Sequence, residues 1–533
     1  WSEQTTPWDF PQELLQPDLD RIIPSLEVGF SHFPAFERAG IKQIINGPFT
    51  FAPDGNPMIG PVRGLQNYWC ACAVMAGFSQ GGGVGLALAS WMIDGDPGLD
   101  VWGMDIARFG DWTNMAYTSA KVQENYSRRF QVRYPNEELE AARPFRTTPM
   151  YGIHKSNNAV FGATVGIEHP LWFAPDGVTP VEDVTFRRSN AFAVVASECN
   201  AVRSGVGIIE TSTFAKLEVT GVGARGWLDG ILAGRIPKPG RTALNPMLNA
   251  AGKVIGDFTV SCLSDERFFI FGSGVAETYH MRLFEAALPD NGVTIRAHGL
   301  DLVGLSIAGP KSIDVLAELA SEDITGNAFP FMSFAEMRIG LVPAFVGRIT
   351  FTGDLGYEIW CKPEHQVALY QSLTQAGTEH GIQNFGGRAL KSLSLEKAFG
   401  SWATEYRPIY GLAETGLERF AKYDKPTFWG RDAALAERDA GPDKKLCLFD
   451  IDAGNADCIG DEPVWHDGQV IGWITSGAYA HHVGKSLALG YIQRDIFEAG
   501  GITGYQVEII GDRRDATILV DPPFDPSGSR MRG

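Results

Sequence analysis

Apolar and polar positions alternate with different periods along the chain, and the changes of period mark out its parts. Residues 44–60, IINGPFTFAPDGNPMIG, read as a strand, a loop and a tight turn, punctuated by Pro and Gly. NYWCACAVMAG (67–77) reads as a buried strand. FSQGGGVGLALASWMIDG (78–95) reads as a Gly-rich loop feeding an apolar helix that Gly95 stops. Residues 106–150 look helical and polar, carry Tyr126, Phe130 and Tyr134, and read as a structural connector. From about residue 182 a helix gives way to short β-rich runs: AKLEVTG (215–221), KVIGDFTVSCL (253–263) and RFFIFGSG (267–274). Residues 275–289 and 309–320 read as amphipathic helices, and LVGLSIAGP (302–310) and VGRITFTGDLGYEIWC (346–361) as strands around turns. Residues 364–381 read as a helix capped by Gly381. The alternation predicts an α+β domain with internally related halves. From about Lys444 the runs are short strands, with Asp467-Gly468 suited to a type I′ hairpin turn, so a small terminal β-barrel is predicted.

With 533 residues, the chain exceeds what one core organises. The pattern divides it at 1–105, 106–181, 182–440 and 441–533. Its formal net charge of -18 argues against a nucleic-acid surface, which needs a basic footprint. No apolar run is long enough to cross a bilayer. The seven cysteines include no CxxC pair and are odd in number, which argues against a disulfide framework or structural zinc and fits a reducing compartment. Cys70 and Cys72 lie two apart on a predicted strand and so point the same way; they read as small buried hydrophobes rather than a redox pair. The first residues, Trp1-Ser2-Glu3-Gln4, show neither an initiator Met nor a signal-peptide pattern, as expected of a processed chain or a fragment.

Three segments carry candidate chemistry. In MLNAAGKVIGDFTV (247–260), Asp257 sits at the edge of an apolar strand. Partial desolvation there would raise its pKa and suit it to hold an amine or manage a proton. The same residue also reads as a turn carboxylate satisfied by backbone amides. In RITFTGDLGYEIW (348–360), Phe351, Asp354 and Glu358 surround a Gly-containing turn. Phe351 can stack on a flat heterocycle, and Glu358 can accept paired hydrogen bonds from an amino-pyrimidine edge; an ordinary hairpin with a surface carboxylate and a core Phe fits equally well. In GGGVGLALASWMIDG, the amides of Gly81, Gly82 and Gly83 at a helix start can cradle an anion or a carbonyl, although close helix packing also explains such glycines. His481 and His482 have no acidic or thiol neighbours at metal-ligand spacing, so no metal site is expected. No Ser-His-Asp order and no Walker loop are present.

Taken in order, these segments resemble the dimethylglycine dehydrogenase, sarcosine dehydrogenase and dimethylglycine oxidase family, whose C-terminal half is similar to the aminomethyltransferase (T-protein) of the glycine cleavage system. NGPFTFAPDGNPMIGP and MAGFSQGGGVGLALASWMIDGDP resemble the last strand and helix of a D-amino-acid-oxidase-like FAD domain. ECNAVRSGVGIIETSTFAKLEVTG, LSIAGPKSIDVLAEL and RALKSLSLEKAFGSW, with the two carboxylate segments, follow a folate-binding domain. VIGWITSGAYAHHVGKSLALGYI follows the barrel. The resemblance implies that a flavin oxidises an N-methyl amine and that tetrahydrofolate captures the one-carbon unit as 5,10-methylenetetrahydrofolate. It implies a catalytic role for Asp257 and a folate-binding set of Leu248, Asn249, Asp257, Phe351, Asp354, Glu358 and Phe399, with Gly81, Gly82 and Gly83 near the flavin. The cofactors implied are tetrahydrofolate and FAD. The partners implied are a methylated amine and a segment or subunit completing the FAD site, because the family's GxGxxG part is not found here. The location implied is the mitochondrial matrix or a bacterial cytoplasm. The sequence departs from the family pattern at three places: Phe351 stands where relatives often have Tyr, Ser394 where they have Arg, and Glu210-Thr211-Ser212 where they have Asp-x-Ser. Two alternatives stay open: another folate-dependent methyltransferase of the superfamily, and a non-catalytic regulatory homologue.

Overall fold

The computed structural model of the protein describes residues 13–533; Trp1–Gln4 and the start of the first predicted part lie outside the described residues. Helix α1 (Leu19–His32) has no buried residue. Strands β1 (Met58–Pro61) and β2 (Trp69–Cys72) form a two-stranded antiparallel sheet. Helix α2 (Gly77–Asp94) packs Val84, Ala87 and Leu88 on Ile59 and Val101, and ends at Gly95 in the left-handed conformation. Helix α3 (Met115–Ser127) and helix α4 (Tyr151–Ser156) lead to the hairpin β3 (Ala159–Thr164) and β4 (Ile167–Phe173).

Four expectations are corrected here. The strand predicted within 44–50 is only an isolated bridge, Leu15 to Asn46. Strand β2 is not buried, because a two-stranded sheet covers only one of its faces: Cys70 is half-buried and Cys72 exposed, with their Sγ atoms 3.1 Å apart. Gly81–Gly83 lie in the second turn of α2 and are exposed; the helix starts at Gly77, so their amides are spent on the backbone ladder rather than free at its tip. Between 106 and 150 the only α-helix is the 13-residue α3; the rest is short 3-10 turns and loop.

The following domain is built on two sheets. After α5 (Phe192–Ser204) come β5 (Gly207–Glu210), β6 (Ala215–Thr220), α6 (Ala224–Ile231), β7 (Arg241–Leu248), β8 (Val254–Ser264), β9 (Arg267–Gly272), α7 (Glu277–Ala286) and β10 (Thr294–Ala297). Then follow β11 (Val303–Ala308), α8 (Ser312–Ala317), β12 (Phe334–Ile339), β13 (Val342–Gly347), β14 (Gly356–Cys361), α9 (Pro363–Ala376), β15 (Gln383–Asn384) and α10 (Gly387–Leu395). The first sheet has the order β10-β6-β9-β8-β7 and the second β12-β13-β14-β11-β5-β15. Side chains alternate between faces along a strand, so each sheet sorts its residues cleanly. Leu217, Val219, Phe258, Val260, Phe268 and Ile270 pack in one core with Leu228 of α6 and Phe284 of α7. Leu305, Ile307, Tyr357 and Ile359 pack in another with Leu369 and Leu373 of α9. Between the sheets, Phe269 and Phe271 of the first meet Phe334 and Trp360 of the second.

The last strands, β16 (Lys444–Ile451), β17 (Pro463–His466), β18 (Gln469–Ala480), β19 (Lys485–Gln493), β20 (Tyr505–Ile509) and β21 (Asp512–Leu519), close a barrel in the order β16-β19-β18-β17-β20-β21. Closure leaves no sheet edge to cover. The β17–β18 turn has positive φ at Asp467 (47°) and Gly468 (78°), as the predicted type I′ turn requires. The mixed α+β architecture with its terminal barrel agrees with the sequence-based prediction.

Candidate carboxylate site between the sheets

Residues paired across strands share a face, and residues two apart along a strand share it too. Thr259 of β8 pairs with Phe271 of β9, so Asp257 lies on the Phe271 face. Glu358 of β14 pairs with Ser306 and Gly347, and lies two residues before Trp360. Phe271 and Trp360 stack at 4.8 Å with 22° between ring planes. Asp257 and Glu358 therefore rise from opposite sheets into one inter-sheet space.

Each carboxyl is half-buried and closely surrounded by protein. Burial pushes Asp257 up to about 8; its own backbone amide opposes the shift and the charge of Glu405 adds to it. Burial alone pushes Glu358 up to about 8. Among the described residues no basic side chain lowers either one. Such groups can accept from N–H donors and can hold or release a proton near neutral pH.

Tyr406 and Glu405 border Asp257. The Tyr406 phenol is pushed up by burial, then by Asp257 and Glu405. Gly400 makes room for that ring: a Cβ there would stand 2.7 Å from the Tyr406 ring. Glu405 is anchored by Thr475 (2.8 Å), Ser476 (2.5 Å) and the Ser401 amide (2.9 Å). The rings of Phe351 and Phe399 lie 5.7 Å apart, and Phe399 directly precedes Gly400. Lys391 of α10 is walled by protein, and its ammonium is lowered by burial, with Glu405 the one opposing charge.

Three residues of the expected folate set have other partners. Leu248 is fully buried in the first-sheet core, because it pairs with Val254 where the register shifts at Met247/Leu248. The Asn249 Nδ2 donates to Asp96 after α2, and its Oδ1 accepts from the Lys253 amide at 2.8 Å, so the side chain holds a turn and a helix end. Both oxygens of Asp354 are taken, by Arg203 at 3.1 Å and Arg530 at 3.0 Å. Sequence reasoning passed over Glu405, Tyr406 and Arg203. Glu405 and Tyr406 stand just beyond the RALKSLSLEKAFGSW segment, and the partners of Glu405 on β18 are 70 and 71 residues away, so no local spacing marks them. No group of three or more His, Cys, Asp or Glu within metal-holding reach occurs among the described residues, and none of their helices is long and apolar enough to cross a membrane.

The two-sheet domain with its closed terminal barrel defines a T-protein-like class. The solved structure of glycine cleavage system aminomethyltransferase T from Bartonella henselae shares that fold, with a TM-score of 0.61 and 21% identity over 72% of this chain and 98% of that one. Family models match three stretches: the FAD dependent oxidoreductase central domain at 94–148, the GCVT N-terminal domain at 150–425 and the glycine cleavage T-protein C-terminal barrel domain at 444–525. The chain is 36% identical to the mitochondrial dimethylglycine dehydrogenase of Rattus norvegicus over 538 residues, all of this chain and 62% of the relative. To the mitochondrial sarcosine dehydrogenase of Homo sapiens it is 30% identical over 588 residues, all of this chain and 63% of the relative. The chain belongs to the GCVT-domain family that includes these dehydrogenases. It spans about three fifths of the length of the curated relatives it matches.

Proposed function

We propose that this chain carries the folate-dependent half of an FAD-dependent oxidative demethylation of an N-methyl amine of the dimethylglycine or sarcosine kind, with 5,10-methylenetetrahydrofolate as the product. The observation that carries this reading is the pair Asp257 and Glu358: two walled, unpaired carboxyls from facing sheets, both pushed up to about 8. A buried acid without a cation suits a ligand that brings its own N–H groups.

Tetrahydrofolate fits these residues. When bound it supplies the secondary amines that accept a one-carbon unit. Glu358 and the aromatic pair Phe351 and Phe399 would hold its pterin, the N–H donors of the pterin favouring the ionised form of Glu358 that accepts through both oxygens. Asp257 holds a proton near neutral pH and can exchange it with an adjacent amine. The catalytic role rests with Asp257; Leu248 supports the site through packing, Asn249 through hydrogen bonds and Asp354 through ion pairing.

FAD is implied by the family, but Gly81–Gly83 do not form a cradle for it, since their amides lie inside α2. No step through the flavin is assigned to these residues. The proposed division at 105, 181 and 440 assigns the flavin-domain tail, connector, folate domain and barrel in turn, and a mitochondrial matrix or bacterial cytoplasmic location goes with the reading.

The test is anaerobic titration calorimetry of this chain with 5-formyltetrahydrofolate. Micromolar binding is expected, weakened at least about tenfold in Glu358→Ala, a loss of about 1.4 kcal/mol. No binding by the folded chain would overturn the folate assignment and favour the non-catalytic regulatory reading.

A further inference from the structure

The Phe271–Trp360 stack divides the inter-sheet space. Across the first sheet, Lys216 pairs with Phe271 and Phe271 with Thr259, so Lys216 shares the face of Asp257 but lies two strands away. Strand spacing and rise put their backbones about 12 Å apart. The Lys216 ammonium lies 5.8 Å from the Trp360 ring, on the connector side of the stack.

A cavity of about 30 Å³ opens there, lined by Lys216, Arg146, Glu277, Trp112, Phe214 and Arg108 among others. One water molecule takes about 10–15 Å³ of such space, so the cavity has room for one small ion. Its charges do not balance. Arg108 is neutralised by Asp54 through bonds of 2.7 and 2.9 Å. Lys216, 1% exposed, donates only to the Ser212 carbonyl at 2.6 Å. Arg146 donates to the Val165 carbonyl at 3.0 Å and faces the Trp112 ring at 5.6 Å. Neither cation has a carboxylate within 4.0 Å among the described residues. Glu277 is the one carboxyl lining the cavity, and burial holds it above its usual range. Two cations and one carboxyl therefore line the cavity, neither cation is in contact with an acid, and Glu210 reaches Lys216 only by its charge from outside the lining. Burial lowers Lys216 to about 8, against the opposing charges of Glu277 and Glu210.

We propose that this cavity binds one small monovalent anion, of chloride or formate size, held between Lys216 and Arg146. The two cations belong to different parts of the chain: Arg146 falls in the segment matched by the oxidoreductase central domain and Lys216 in the GCVT domain. The anion therefore clips the connector onto the folate domain, and its binding stabilises that junction. The site is separate from the carboxylates beyond Phe271 and Trp360, so the proposal stands apart from the folate reading.

Bromide is the probe. Crystals of this chain soaked in sodium bromide should show an anomalous peak in the cavity, within contact of Lys216 Nζ and the Arg146 guanidinium. In solution, chloride or formate should raise the melting temperature above that in gluconate of equal ionic strength by about 2 °C or more. Arg146→Met and Lys216→Met should each abolish that increment. The absence of a bromide peak from the cavity of the wild type would overturn the proposal, whatever the variants do. So would an anion response that survives unchanged in folded Arg146→Met.

Discussion

Asp354 and Glu396 lie in the same domain as Asp257 and Glu358 but deeper, with 2% and 0% of their surface exposed, and their oxygens are fully used. Arg203 of α5 donates to Asp354 at 3.1 Å and to Glu396 at 2.7 and 3.2 Å, Arg530 takes the other Asp354 oxygen, and the His482 amide takes the other Glu396 oxygen at 2.9 Å. Arg203 also lies 3.6 Å over the Phe524 ring. This network ties α5, the loop before β14, the end of α10 and the C-terminal tail together. Asp257 and Glu358 have no such cation. An acid that is buried and paired is explained by the fold itself. One that is largely buried and left without a cation costs stability, which makes it the better candidate for work on a ligand.

The largest expected effect is in the paired group. Arg203→Met keeps the side chain's bulk but strands the buried Glu396 carboxylate and leaves Asp354 with Arg530 alone, and breaking a buried pair in this way costs about 3–5 kcal/mol. The denaturant midpoint should fall accordingly with an unchanged slope. A loss below about 1 kcal/mol would remove the contrast between the two sets of acids.

The unpaired group should act in the opposite direction. In the unfolded chain Asp and Glu titrate near about 3.9 and 4.3, whereas Asp257 and Glu358 in the folded protein are both pushed up to about 8. Below about pH 4 both states hold the protons, and the contribution is fully present. As pH rises toward 8 the unfolded chain has released protons that the native state retains, so stability falls, by at most about 1.4 kcal/mol per pH unit for each group. Asp257→Asn and Glu358→Gln should each flatten this slope between about pH 4 and 8, and should be more stable than the wild type above pH 8. Urea unfolding at several pH values tests this; variants that keep the wild-type slope would show that the two carboxyls are not held up by burial.

Local signals in the sequence carried much of the fold. Short β-rich runs located β6, β8, β9 and β14, Gly95 and Gly381 stopped helices, and Asp467-Gly468 set the β17–β18 turn. The resemblance located Asp257 and Glu358, which the structure places on facing sheets. What stayed hidden depends on distant partners. Asp354 reads as a turn acid beside Glu358, but its fate is decided by Arg203, 151 residues away, and Arg530, 176 residues away. The Gly81–Gly83 run was misplaced because glycine signals a loop locally, while Val84, Ala87 and Leu88 draw the whole segment into a helix packed on Ile59.

The smallest effect expected is at Asn249, and it sharpens the comparison most finely. Its amide spans from the β7–β8 turn to Asp96, 153 residues earlier, and its carbonyl caps Lys253. With both ends of the side chain engaged, it belongs with the paired acids rather than with the ligand-facing ones. Asn249→Ala should therefore cost about 1 kcal/mol of stability through the lost hydrogen bonds. Affinity for 5-formyltetrahydrofolate should stay within about twofold of wild type, a change of about 0.4 kcal/mol. An affinity loss of about tenfold or more at unchanged stability would return Asn249 to the ligand set. It would also show that a hydrogen-bonded side chain at this turn can exchange its protein partners for a ligand.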